Sequence, residues 1–163
     1  MNNKSINGVW ELSGFFSMRG ELPVTEDESD PQAVDQWLLG ESHDQLEQLK
    51  SAEGLRLSIE NETFSEEKTG DPEITWFDEE GVLTEKAEPF NGVLKRLDAR
   101  FYLVLAKSIA RATPADQERF RYDDGDTKIC DYFELHGKDL IRTMSVVTDE
   151  LYTDRVILRY SKV

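Results

Sequence analysis

Cysteine and histidine are scarce in this 163-residue chain, with one Cys (Cys130) and two His (His43 and His136). A single thiol excludes an internal disulfide and fits a reducing compartment, so the expected location is cytoplasmic. Cys130 has no basic neighbour in sequence to lower its pKa, and it reads as an inert core thiol. His43 lies at a helix start and His136 in a hairpin turn. They share no metal-ligand spacing, and neither a metal nor a cofactor is expected. No apolar run approaches the roughly 18 residues that a spanning helix needs. The first residues, MNNKSINGVWELSG, lack the apolar segment of a secretory leader. Glycine-rich phosphate loops, nucleophile elbows and dinucleotide fingerprints are missing. Asp123-Asp124-Gly125-Asp126 lacks the alternating ligands and closing glutamate of a calcium loop, and reads as a solvated hairpin turn.

Positive charge is scarce too. There are 19 Lys+Arg against 34 Asp+Glu, a formal net charge of −15. Nothing in that balance suits a phosphate backbone, so nucleic acid is not an expected partner. The imbalance is local. Residues 1–81 hold twenty acids and five bases, whereas the acids and bases of residues 82–163 cancel. Solubility explains such a half-chain well; the sharper reading is an acidic face for a basic protein partner.

What is present is aromatic and alternating. Eight Phe, five Tyr and three Trp are too many for a disordered chain, and the length suits one domain spanning 1–163. Gly8 to Met18 alternates, with Trp10, Leu12, Phe16 and Met18 on one side. Phe15 breaks the polar side, and Gly14 marks a place where the strand bends. Asp30-Pro31 starts a helix over 31–39 with Val34, Trp37 and Leu38 on one face. Ser42 and Gln45 have capping-box spacing for a second helix over 43–53, carrying Leu46 and Leu49. Strands are expected at 55–60 and 63–67 around Asn61-Glu62, at 73–77 and 82–87 around residues 78–81, and at 91–97 and 100–107. Residues 108–119 read equally as a loop or as one helical turn from Pro114. Strands at 128–135, 140–147 and 151–160 form a closing meander. The fold class is therefore mainly β: an antiparallel up-and-down barrel of about 8–10 strands with a short helix-turn-helix after the first strand.

Gly8-Val9-Trp10 on the first strand resembles the Gly-x-Trp of the lipocalins and their calycin relatives. The order strand, helix-turn-helix, meander is similar to the fatty-acid-binding branch, in which two helices lid the barrel mouth. His136 to Arg142 resembles that branch's penultimate hairpin, and Arg155 to Lys162 its last strand. The resemblance implies an intracellular carrier. It also implies barrel closure by Gly8 and Trp10, with Arg155 or Arg159 stacked on the indole. That branch clamps a carboxylate with an interior Arg and an Arg-x-Tyr. Here Tyr132 stands near the first position, and Arg159-Tyr160 are adjacent and point to opposite faces, so the clamp is not in the family's form.

The expected function is binding of a small hydrophobic or amphipathic ligand in a barrel cavity walled by Trp10, Phe16, Phe101, Leu103 and Phe133. Candidate ligand-binding residues are Arg142, Tyr132, Arg155, Tyr152 and Phe133; Arg159 joins Gly8 and Trp10 in closure. An inward Arg142 needs a carboxylate, from Asp131 or from the ligand; an outward Arg142 paired with a surface acid is the alternative. No pair of acids stands out for catalysis. The alternative functions are an interaction module with a filled barrel, or a calycin-type lyase acting on a bound pigment.

Overall fold

The structure is a computed structural model that describes residues 5–22, 31–40, 43–70, 76–77, 83–84, 91–97, 99–105, 122–124 and 127–163. The expected acidic loop at 25–30, the turn at 78–81, the segment 108–119 and Gly125-Asp126 lie outside them.

Twelve strands are described: β1 (Gly8–Glu21), β2 (Lys50–Ser51), β3 (Leu55–Glu60), β4 (Thr63–Lys68), β5 (Trp76–Phe77), β6 (Leu83–Thr84), β7 (Asn91–Leu97), β8 (Arg100–Leu105), β9 (Tyr122–Asp124), β10 (Thr127–His136), β11 (Asp139–Thr148) and β12 (Tyr152–Lys162). The order β11-β12-β1-β3-β4-β7-β8-β10 returns to β11, since β10 also pairs with β11. Eight antiparallel strands thus close a barrel, with the β4–β7 and β8–β10 seams each joined by three residue pairs. β2 adds to β1, β9 adds to β10, and β5 with β6 forms a separate ribbon.

Local chemistry sets the turns. Asn61, one of the side chains that tolerate the left-handed region, sits there at φ 58° in the two-residue loop between β3 and β4. Gly137 does the same at φ 64° between β10 and β11. β9 pairs antiparallel with β10, with Asp124 opposite Thr127 and Asp123 opposite Lys128.

Period-two alternation then divides each strand. Trp10, Leu12, Leu57, Ile59, Phe64, Leu94, Leu103, Phe133, Leu140, Leu158 and Tyr160, drawn from all eight barrel strands, pack as one buried interior cluster. The opposite faces of β8, β10 and β11 are buried as well. Tyr102, Cys130, Tyr132 and Val147 pack there against Val34 and Leu38 of helix α1 (Pro31–Leu38).

Two expectations are corrected here. The helical segment does not lid the barrel: α1 lies on the outer wall of β10 and β11. Its apolar stripe fits there because the outer face of those strands carries apolar and small side chains. The second helix is only a 3-10 turn over His43–Gln48. The chain then enters β2, which pairs with Gly14 and Phe15 of β1 beyond the Gly8–Glu11 stretch that β3 covers. Backbone pairing thus takes residues 50–51, where the two leucines, Leu46 and Leu49, are only half-buried.

The third correction concerns β1. Its register against β12 slips between Leu12 and Gly14. This bulge reverses the parity of every later residue. Phe15 and Ser17 therefore face inward, opposite Leu158 and Val156, and Phe16 and Met18 face outward, opposite Ile157 and Arg155. Gly14 leaves room at the bend for the Arg159 guanidinium, which an added Cβ would approach to 3.0 Å and push aside.

Candidate functional site

A charged cluster stands inside the barrel. Arg142 is 1% exposed. It sits on β11 opposite Phe133 and diagonal to Asp131 on β10, a spacing that a long side chain spans. Its Nε donates to Asp131 Oδ1 at 2.9 Å and its Nη2 to Asp131 Oδ2 at 2.6 Å. This is the bidentate fork that makes Arg–carboxylate pairs strong. Its Nη1 donates to Glu66 Oε1 at 3.0 Å. Glu66 belongs to β4, four places from β11 around the wall. The bridge therefore crosses the interior and forms a polar floor.

Tyr160 of β12 completes the cluster. Its ring meets Phe133 edge to face at 6.2 Å, and Phe133 meets Phe64 in the same way at 6.2 Å. The buried Tyr160 hydroxyl makes no hydrogen bond of standard geometry, yet it lies close enough to Glu66 and Arg142 for both to act on its ionisation. Burial, and then the Glu66 charge, push its pKa well above the usual phenol value. Burial also raises the Glu66 pKa; Arg142 opposes this and Asp131 adds to it. Burial by itself would lower the Arg142 pKa, but the charges of Asp131 and Glu66 and the Asp131 hydrogen bonds raise it instead.

The two ends of the barrel differ. At one end Trp10 is 2% exposed; its Nε1 donates to the Ile6 carbonyl at 2.9 Å, and Lys162 lies 4.6 Å above its ring. Lys162 also donates to the Asn7 carbonyl. Gly8 lies beneath this cation with φ 131°, where an added Cβ would collide with the ammonium. Toward the other end, inward-facing Phe15, Ser17, Ile129 and Met144 are only half-buried. Arg19 closes on Asp154 there at 2.8 Å.

The sequence candidates separate. Arg142 and Phe133 are inside, and the outward alternative for Arg142 is excluded. Tyr132, the strand neighbour of Phe133, necessarily points out. Its hydroxyl donates to the Gly40 carbonyl at 2.9 Å, Arg100 lies 4.0 Å over its ring, and burial pushes its pKa up to about 12. Arg155 also points out. It donates to Ser145 Oγ at 2.9 Å and to the Trp37 carbonyl, and it lies 3.9 Å over the Trp37 ring. A cation there suits the negative end of α1, and burial lowers its pKa. Tyr152 is 48% exposed at the start of β12.

Arg159 does not stack on Trp10. It faces outward and bonds Ser13 through Nε and Nη2. Lys162 pairs with Trp10 in register and takes that place. Sequence reasoning missed Glu66 and Tyr160. The available signal for Glu66 was its place two residues after Phe64, on the same face of the strand. Among the described residues, no group of three His, Cys, Asp or Glu side chains is placed to hold a metal. No described helix is long and apolar enough to cross a membrane.

No family model matches the chain, and no curated protein matches it at a significant level. Among solved structures it is similar to zebrafish ileal bile acid-binding protein complexed with cholic acid. The identity is 12% over 96% of this chain and 98% of that one, with a TM-score of 0.36. At that score the likeness decides nothing about function; the barrel follows from the closed strand order.

Proposed function

We propose that the protein binds a small amphipathic molecule inside its barrel, with the ligand's polar head on the Arg142–Asp131–Glu66–Tyr160 floor. The apolar body would lie among Phe15, Ile129 and Met144. The observation that carries this reading is the floor itself: a few convergent polar groups, one of them an unpartnered hydroxyl, set among apolar walls. An eight-stranded barrel has room for its own side chains or for one small ligand. The half-buried inward residues toward the Asp154 end favour the second use.

The role of Arg142 differs from a plain carboxylate clamp, since Asp131 already occupies its fork. The test is displacement of an uncharged fluorescent apolar probe from the purified protein, together with native mass spectrometry of protein from its own host. Saturable one-to-one binding that Tyr160→Phe weakens supports the reading. Absence of saturable binding by any amphipath rejects it. The remaining reading would then be an interaction module, for which the acidic first half of the chain is the supporting observation.

A further inference from the structure

We infer that the floor selects a ligand whose head donates hydrogen bonds and is neutral or cationic, a hydroxyl or an amine, and that it rejects a carboxylate. This rests on the barrel-binding reading above and narrows it to a ligand class.

Three observations carry it. First, among the described residues the floor holds one guanidinium and two carboxylates, all buried. Among the described residues, no charged group other than Arg142 and Asp131 acts appreciably on Glu66. With both acids ionised the floor carries one surplus negative charge. An anionic head would add a second, in surroundings where water cannot screen it.

Second, the geometry leaves Asp131 as the internal substitute for a ligand carboxylate. Both Asp131 oxygens are engaged, at 2.9 and 2.6 Å, by the two nitrogens that would otherwise form a bidentate clamp. An incoming carboxylate would have to displace this covalently tethered competitor and leave Asp131 unpaired in the interior.

Third, the Tyr160 hydroxyl is fully buried beside Glu66 and makes no hydrogen bond of standard geometry. A phenol oxygen accepts as well as donates. A head that brings an N–H or O–H satisfies it and at the same time approaches Glu66.

The experiment compares dodecylamine, dodecanol and dodecanoate, which share a twelve-carbon chain and differ only in the head. Each displaces the uncharged fluorescent probe at physiological salt, below its micelle concentration, from wild type, Glu66→Gln and Tyr160→Phe. In wild type, dodecanol and dodecylamine should bind at least about tenfold more tightly than dodecanoate. Glu66→Gln should weaken dodecylamine severalfold relative to dodecanol, because the surplus charge is gone and the amide still accepts from Arg142. Tyr160→Phe should weaken both donors and leave dodecanoate unchanged.

Dodecanoate binding as tightly as dodecylamine overturns the inference while leaving barrel binding standing. Amine binding that neither variant changes also overturns it, because the amine is then held by the acidic surface. If none of the three displaces the probe saturably, barrel binding fails and the inference fails with it. Circular dichroism of each variant establishes that it is folded; if Glu66→Gln does not fold, the Tyr160→Phe arm and the wild-type ranking still decide.

Discussion

Replacing Arg142 with methionine would remove the one cation between two buried carboxylates. The side chain is 1% exposed, and its two partners lie at 2.6 and 3.0 Å. Breaking a buried pair by deleting one partner costs about 3–5 kcal/mol, mostly because the surviving charge is left without compensation. Here two carboxylates survive, so the upper half of that range is expected near neutral pH. The exposed pair of Arg56 with Glu11 at 2.8 Å is an internal control, since water screens exposed pairs and they contribute little. Urea unfolding followed by circular dichroism measures both. With a slope of about 2 kcal/mol per molar urea, Arg142→Met should move the midpoint down by about 2 M. Arg56→Met should barely move it. A triple variant in which Asp131 and Glu66 also become leucine should recover most of the loss, because apolar substitutes often match or exceed buried ion clusters. A loss below about 1 kcal/mol for Arg142→Met, or a triple variant no more stable than the single one, would refute the claim that the floor is a buried, interdependent charge cluster.

Other outcomes follow from the same geometry. Because burial raises the Glu66 pKa, the folded protein holds that proton more tightly than the unfolded chain does. The stability contributed is complete below the ordinary glutamate value of about 4.3 and is lost as pH rises through the raised folded value. Glu66→Gln should flatten that decline, whose slope is at most about 1.4 kcal/mol per pH unit; superimposable stability–pH curves would contradict it. Tyr132→Phe should cost about 0.5–1.5 kcal/mol by removing the bond to the Gly40 carbonyl, with no change in probe affinity, since Tyr132 lies outside the barrel. Trp10→Ala should cost about 3–5 kcal/mol, read as a large fall in melting temperature; a loss near zero would mean that the Trp10 end is not a packed plug.

Much of the architecture was legible because alternation and turn chemistry are local. Leu55–Ile59, Asn61-Glu62 and the three closing strands follow from neighbours in sequence. The face assignments were less legible, for three physical reasons. A single bulge in β1 exchanged Phe16 for Phe15 in the interior, and period two carries no record of an inserted residue. β10 and β11 are buried on both faces, so Tyr132 and Phe133 looked equally suited to the interior. The stripe of Val34 and Leu38 required a surface to pack on without specifying which. Half of the floor was readable, since an inward Arg142 calls for an acid such as Asp131. Glu66 was not, because its partner lies across the lumen, and cross-barrel contacts leave no sequence spacing.

The seam between β1 and β12 has a consequence for how the chain matures. Eleven residue pairs join these strands, and the carbonyl of Val9 still accepts from the amide of Val163 at 3.0 Å. Synthesis runs from β1 toward β12, so the ring stays open until its final stave has left the ribosome. Until then β1 and β11 each expose an unpaired flank, the kind of edge that recruits foreign strands. A chain that lacks residues 152–162 therefore keeps both flanks open, and the pairing that completes the barrel joins residues more than 130 positions apart.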